Sequence, residues 1–368
     1  MKVAIVIHDL RGGGAEKMMM RLANAISKHQ HHVDLVLLTD GGVNKSSLST
    51  GVNLIELKSS RTASAVPRLR EYLKSNQPDQ VLSALTHVNV IAFFACLSLG
   101  WLSRLHCSER NAFSFDKHVN NSPLIKFAYF LAPFIYRSMP NPVIAVSKGV
   151  GLDLIETTVV AEKNVINLPN PTLDDDFRLR EFSMPTHPWL LEKTKPVIVG
   201  LGRLAPQKGF SDLISAFAIL KQTIDARLVI FGEGDLRMSL QLQIDELNLT
   251  EDVCLHGYVS SPMDEIHHAD LFVLSSLFEG SPNALVEAMA SRCKVVSTRC
   301  PCGPDEILAE GAVGKLVPVS SPRELADAMS DSLSNTQYDF DNQLDHIERY
   351  TANNSAISYL NAMVNKRA

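Results

Sequence analysis

Apolar residues are spaced along this chain in two alternating rhythms. Residues 3–8 form an apolar run of strand type, and RGGGAEK (11–17) interrupts it. AEKMMMRLANAISKH (15–29) then carries apolar residues at helical spacing, and HHVDLVLLTD (31–40) supplies a second strand. Together these make a β-α-β unit of ordinary length. Further strands are predicted at 81–85 and 142–147, with helices at 66–75, 90–101 and 123–138. After NLPNP (167–171) and an acidic, proline-containing stretch ending at Pro196, the rhythm restarts. PVIVGLGRL, ARLVIFGEG, VCLHGYV, ADLFVLSS and CKVVSTR each read as a short strand followed by a helical pattern. Alternation of this kind predicts an α/β chain with parallel sheets covered by helices on both faces. Two Rossmann-like domains are expected, 1–172 and 190–345, facing each other across a cleft. Ligands of such sheets sit at the carboxyl ends of the strands.

Composition narrows the partner more than the fold. With 368 residues, 45% hydrophobic and 20% charged, the chain can bury two sizeable cores. A net charge of −5 argues against wholesale nucleic-acid binding. The charge is unevenly spread: residues 1–150 hold 17 Lys+Arg against 9 Asp+Glu, and the remainder 18 against 31. A basic first half points to an anionic partner such as a phospholipid surface or a phosphorylated lipid. The six cysteines show no metal-ligand spacing beyond one C-x-C and are too sparse for a disulfide framework. MKVAIVIHDL reads as a first strand rather than a signal peptide, and VIAFFACLSLGWL (90–102) is too short to span a bilayer. A cytoplasmic protein is expected.

The strand ends carry the chemistry. Gly12, Gly13 and Gly14 follow the first strand, where a glycine turn lets backbone N–H groups approach a phosphate. The dinucleotide pattern G-x-G-x-x-G fails because Lys17 stands at its third glycine, although Asp40 at the end of strand two could imitate a ribose-binding acid. An NAD-dependent oxidoreductase therefore stays open as an alternative. In the second half, GRLAPQKG (202–209) places Arg203 and Lys208 after a strand. Two fixed cations there can neutralise a diphosphate without a divalent metal, and solvated loop charges are the competing account. FGEGDLR (231–237) closes the next strand with Gly232 and Gly234, and HGYV (256–259) closes the one after. FEGSPNALVEAMA (278–290) sets Glu279 in a loop, Ser281 as a helix cap, Pro282 at the first helical position and Glu287 two turns on. The free N–H groups of Asn283, Ala284 and Leu285 then form an anion site. Carboxylates beside a phosphate would repel it, so Glu279 and Glu287 should accept from hydroxyl groups. One acid on each flank of a diphosphate fits a nucleotide sugar.

Taken in order, GRLAPQKG, FGEGDLR, HGYV, the Glu279-x7-Glu287 motif and CGPDEIL (302–308) make the chain resemble the GT-B glycosyltransferases of family 4 over nearly its whole length. The resemblance implies that Arg203 and Lys208 grip the diphosphate, Glu279 holds the donor sugar and Glu287 the ribose. It implies that the loops containing Gly232, Gly234, Tyr258 and Val259 frame the base, and that the Gly12–Gly14 loop approaches the transferred sugar. Retention of anomeric configuration, no metal or other cofactor, and a closing helix at 350–365 returning to the first domain are implied as well. Many members end a first-domain strand with a histidine near the reacting sugar. Here LHCSERN (105–111) offers Glu109 or Arg110, with His106 turned the opposite way by strand alternation and His87 as a second choice. Sugar-nucleotide epimerases share the fold and remain an alternative.

The expected acceptor is a lipid-linked glycan or a lipopolysaccharide core. Helix 123–138, PLIKFAYFLAPFIYRS, combines five aromatics with Lys126 and Arg137, and Lys58, Arg61, Arg68, Arg70 and Lys74 lie nearby in sequence. Such a helix can rest in a membrane interface, which predicts peripheral attachment to an anionic inner leaflet.

Overall fold

The computed structural model describes residues 1–11, 13–59, 64–119 and 122–364. Gly12 of the glycine turn, Arg61 of the basic group and residue 365 of the closing helix lie outside them. The chain divides into two compact units, Met1–Asp175 with Arg349–Ala368, and Asp176–Glu348. Each is a parallel α/β sheet.

In the first unit seven strands run β1 (Lys2–Ile7), β2 (His32–Leu37), β3 (Val52–Glu56), β4 (Gln80–Ala84), β5 (Leu105–Glu109), β6 (Val143–Ala145) and β7 (Val165–Asn167). Their order across the sheet is β3-β2-β1-β4-β5-β6-β7. The helices are α1 (Gly14–Lys28), α2 (Ala65–Asn76), α3 (Thr86–Leu97), α4 (Phe113–Val119), α5 (Pro123–Ser138) and α6 (Lys148–Thr157). Strand β1 shows why the apolar run is continuous. Ala4 and Val6 face the core under α2, α3 and α5, whereas Val3, Ile5 and Ile7 face α1 and the helix Ala352–Val364. A strand covered on both faces needs apolar residues at every position.

The second unit has six parallel strands: β8 (Val197–Leu201), β9 (Arg227–Phe231), β10 (Val253–Gly257), β11 (Leu271–Leu274), β12 (Val295–Thr298) and β13 (Lys315–Val317). Their order is β10-β9-β8-β11-β12-β13. One face is sealed by Leu213, Ile214 and Phe217 of helix Phe210–Leu220 and by Leu325 and Met329 of helix Pro322–Ser334.

Several elements depart from the sequence reading. Strand β2 stops at Leu37, so Asp40 lies in the following loop and is exposed. The helix expected at 90–101 begins at Thr86, because Leu85 adopts φ 81° and turns the chain immediately after β4. VNLIE (52–56), too short and too polar to stand out, forms β3. Among the described residues no helix is long and apolar enough to cross a membrane.

Candidate donor site and first-unit cluster

Strand order reverses direction between β8 and β11 in the second unit, and between β1 and β4 in the first. Such switch points open a crevice outside the strand ends. Both carry polar clusters.

At the second unit's switch point, the loop after β8 meets the loop after β11. Lys208 Nζ lies 2.6 Å from Glu279 Oε1, and Ser276 Oγ donates to the same oxygen at 2.6 Å. The two side chains are 20% and 7% exposed, so the pair is largely removed from water. Backbone contacts fix it: Ser275 Oγ donates to Lys208 O at 2.8 Å, Leu277 N to Gln207 O at 2.8 Å, and Glu279 N to Pro301 O at 3.0 Å. Arg203 is exposed and enters no ion pair among the described residues. The resulting shelf holds one buried carboxylate, one half-buried ammonium bound to it and one free guanidinium.

The glycines make neighbouring loops interlock at backbone distance. Gly202 N donates to Phe231 O at 3.0 Å, and Gly232 N to Gly257 O at 2.7 Å. Gly232 has φ +136°, and a Cβ there would lie well under 3.0 Å from Gly202 O. A Cβ on Gly234 would collide in the same way with the backbone of Leu204. Arg237 then clamps the β9 and β10 loops, binding Glu233 through Nε (2.8 Å) and Nη2 (2.6 Å) and Leu255 O through Nη1 (3.1 Å). Tyr258 is 80% exposed beside this seam, and Val259 half-buried.

The helix of the FEGSPNALVEAMA segment starts one residue later than expected, at Asn283. Pro282 occupies the cap position, and no side chain caps the helix, so Ser281 does not have the role assigned to it. Pro282 is held by the CGPDEIL turn instead: Gly303 has φ +106°, and any Cβ there would strike the proline ring. Leu285 N donates to Pro282 O at 3.0 Å, which removes one of the three N–H groups counted as free. Asn283 and Ala284 remain half-exposed at the helix start, and Glu287, one turn on, is 9% exposed among Leu285, Val286, Ala288 and Met289.

The first unit's switch point assembles a different group. His8, just past β1, approaches His87 at the start of α3, with His87 Nε2 3.4 Å from His8 Nδ1 and the rings edge to face. Burial pushes the His87 imidazole down to about 4, which keeps it neutral. Asp9 is tied to Arg11 at 3.1 Å. Gly13 caps α1 without a side-chain bond, and Gly14 opens the helix. The Glu16 carboxylate folds back so closely that a Cβ on Gly13 would clash with it. Its pKa is raised, first by burial and then by Asp9. The expected phosphate cradle therefore carries an acid of its own. Sequence reasoning does not single out His8, Asp9 or Glu16, although the strand-end rule reaches the first two.

Glu109 is buried at 3% exposure rather than presented to a ligand. It accepts from Thr86 Oγ1 (2.9 Å), Asn89 Nδ2 (3.4 Å) and the Tyr136 hydroxyl. Burial lifts its pKa to about 7, against the pull of the Tyr136 and Thr86 hydrogen bonds. Arg110 is equally buried, donating to Tyr359 OH at 3.0 Å and to Asn170. His106 bonds Gln80 at 3.1 Å, apart from the Glu109 group.

Sequence reading finds no metal ligands, yet His187, Cys254 and His256 bring their ligand atoms within 4.8 Å of one another. Trp189 N donates to His187 Nδ1 at 3.2 Å, so the neutral ring carries its proton on Nε2 and its lone pair is already engaged. Burial also holds the Cys254 thiol above its ordinary pKa. The arrangement does not favour a resident cation.

Two family models match the chain: Glycosyltransferase Family 4 over residues 12–172 and Glycosyl transferases group 1 over residues 187–352. An uncharacterized glycosyltransferase of Methanocaldococcus jannaschii, MJ1059, is 42% identical over 113 residues, 30% of this chain and 28% of that protein. The N-acetylgalactosamine-N,N'-diacetylbacillosaminyl-diphospho-undecaprenol 4-alpha-N-acetylgalactosaminyltransferase of Campylobacter jejuni is 28% identical over 347 residues, 88% of each chain. The solved structure of Anabaena Alr3699/HepE in complex with UDP-glucose superposes with a TM-score of 0.79 at 18% identity, covering 98% of this chain and 99% of that one. Neither the oxidoreductase nor the epimerase alternative is favoured by these similarities. The chain belongs to the family 4 glycosyltransferases and has the GT-B fold.

Proposed function

We propose that this enzyme moves a hexose or N-acetylhexosamine from a UDP-linked donor to a lipid-linked or lipopolysaccharide glycan, with retention of configuration and without a metal. The observation that carries the reading is the Lys208–Glu279 pair, held largely out of water at the switch point of the second sheet. As the sugar C1–O bond breaks, negative charge builds on the departing diphosphate. Lys208, Arg203 and the amides at Asn283 and Ala284 are the donors suited to stabilise it, since preorganised donors cost no reorganisation during reaction. Glu279 serves twice, holding Lys208 in place and accepting from sugar hydroxyls. Glu287 accepts from the ribose, and the interlocked Gly232–Gly234 and Tyr258–Val259 loops frame the base. In the first unit the Gly13–Gly14 turn and His87 approach the transferred sugar, and Glu109 holds Thr86, the neighbour of His87, through its hydroxyl.

The UDP-glucose bound to the Anabaena protein and the diphospho-undecaprenol in the name of the Campylobacter enzyme support these choices. The basic first half supports a peripheral position on the inner face of an anionic membrane. A thermal-shift panel of UDP-, GDP- and ADP-sugars and NADH tests the donor. Stabilisation by UDP-sugars is expected, and a response to NADH alone would overturn the reading. Conversion of UDP-GlcNAc without any acceptor would instead identify an epimerase.

A further inference from the structure

Helix α5 leaves much of its apolar surface uncovered. Leu124 and Phe127 are each 58% exposed, Phe130 65% and Phe134 56%. At 100° per residue these four fall within one 120° arc. Monomeric proteins rarely leave such a contiguous apolar strip without a partner. Beside it, α5, α4 and the end of α6 enclose a groove of about 540 Å³. Its walls are apolar at Phe130, Pro133, Phe134 and Val159, and Lys117 and Lys126 also line it. Phe130 and Phe134 stand 5.9 Å apart, ring to ring, as one wall.

The charged side chains that line the groove are both lysines. Neither lysine has an ion-pair partner among the described residues. Asp116, the acid on α4, is bonded to Tyr129 OH at 2.8 Å and to Asn111. An apolar channel with two unneutralised ammonium groups suits an anionic amphiphile rather than a neutral chain or a free anion. Its volume falls in the range of small-ligand sites.

We infer that this groove seats the lipid part of a phosphorylated polyisoprenoid acceptor, its phosphate on Lys117 and Lys126 and its first isoprene units against Phe130 and Phe134. The assignment rests on the reading that the acceptor is lipid-linked, and adds a site for the carrier that is separate from the donor shelf. Leu124 and Phe127 then continue the path of the chain toward the bilayer.

The test is co-sedimentation of the full chain with neutral phosphatidylcholine vesicles, alone, doped with undecaprenyl phosphate, or doped with phosphatidylglycerol to equal charge. Selective recruitment by undecaprenyl phosphate is expected. Lys117→Glu with Lys126→Glu should weaken it about thirtyfold or more, since each lysine loses its attraction to the phosphate. Phe130→Ser with Phe134→Ser should abolish the preference for the isoprenoid. All six wall and lysine positions lie away from the donor shelf in sequence, so the UDP-dependent thermal shift should persist in every variant and reports folding independently. Equal recruitment by phosphatidylglycerol, or selective binding retained by both double variants, would overturn the inference. Binding to no vesicle would overturn it too and would leave the groove to a protein segment. Loss of the UDP response with lipid selectivity intact would count against the donor reading alone.

Discussion

Removing Lys208 should damage both stability and turnover, in a ratio set by its partner's burial. At 2.6 Å and an effective dielectric of 20, the gross attraction between Lys208 and Glu279 is about 6 kcal/mol. Most of that offsets the desolvation of two groups that are only 20% and 7% exposed. In Lys208→Met the Glu279 carboxylate keeps, among the described residues, only the Ser276 hydroxyl of its charged and hydroxyl partners, and breaking a buried pair in this way costs about 3 kcal/mol. For a unit of this size that corresponds to a fall of about 6–12 °C in its unfolding transition. Glu279→Gln should cost less, about 1–2 kcal/mol, because the abandoned ammonium is the more exposed partner and can recruit water. Turnover should drop about 100-fold or more in Lys208→Met, as on losing one preorganised donor. Differential scanning calorimetry and nucleotide-release kinetics measure the two effects. Wild-type turnover in Lys208→Met would remove Lys208 from catalysis, and greater destabilisation by Glu279→Gln would show that the carboxylate is not the more deeply buried partner.

Other expectations can be checked separately. Glu287→Ala should weaken UDP binding about 10- to 100-fold by calorimetry, from the loss of a charged acceptor for the ribose; unchanged affinity would remove that role. Gly232→Ala must combine φ +136° with a clash against Gly202 O, so urea unfolding should show a loss of about 2–3 kcal/mol together with weakened UDP binding. Glu109 titrates near 7 when folded and near 4.5 when unfolded, so the folded state binds the extra proton between those values. Its contribution is present below about 4.5 and is lost as pH rises through 7. His87 and His106, both lowered to about 4 by burial, act in the opposite sense, their neutral forms favouring folding as pH rises from 4 to 6.5. Comparing Glu109→Gln with wild type isolates the carboxyl: the variant should gain relative stability, up to about 3 kcal/mol, between pH 5 and 8. A constant difference across that range would show that Glu109 is ionised throughout.

The sequence announced its strands best where both sheet faces are covered, because continuous apolar runs such as 3–7 and 197–201 fit little besides a strand packed on both sides. It also announced the strand-end cluster around Lys208, Glu279 and Gly232, since glycines and charges at successive strand ends reflect backbone interlock that only short-range geometry requires. What it hid depends on depth and on distant partners. Nothing local to LHCSERN reveals that Glu109 turns into a pocket made by Thr86, Asn89 and Tyr136. Ser281 followed by Pro282 reads as a helix cap, but packing of the proline on Gly303 takes precedence over local capping. His8 and His87 meet only because β1 and β4 are neighbours, and their 79-residue separation conceals it.

A crystal structure of the full chain with UDP would show whether the second unit's switch point seats the nucleotide. In that complex diphosphate oxygens should lie within hydrogen-bond reach of Lys208 Nζ and the amides of Asn283 and Ala284, with the ribose on Glu287. UDP bound instead at the Gly13–Glu16 turn of the first unit, or a Lys208–Glu279 pair closed off from the nucleotide, would contradict it.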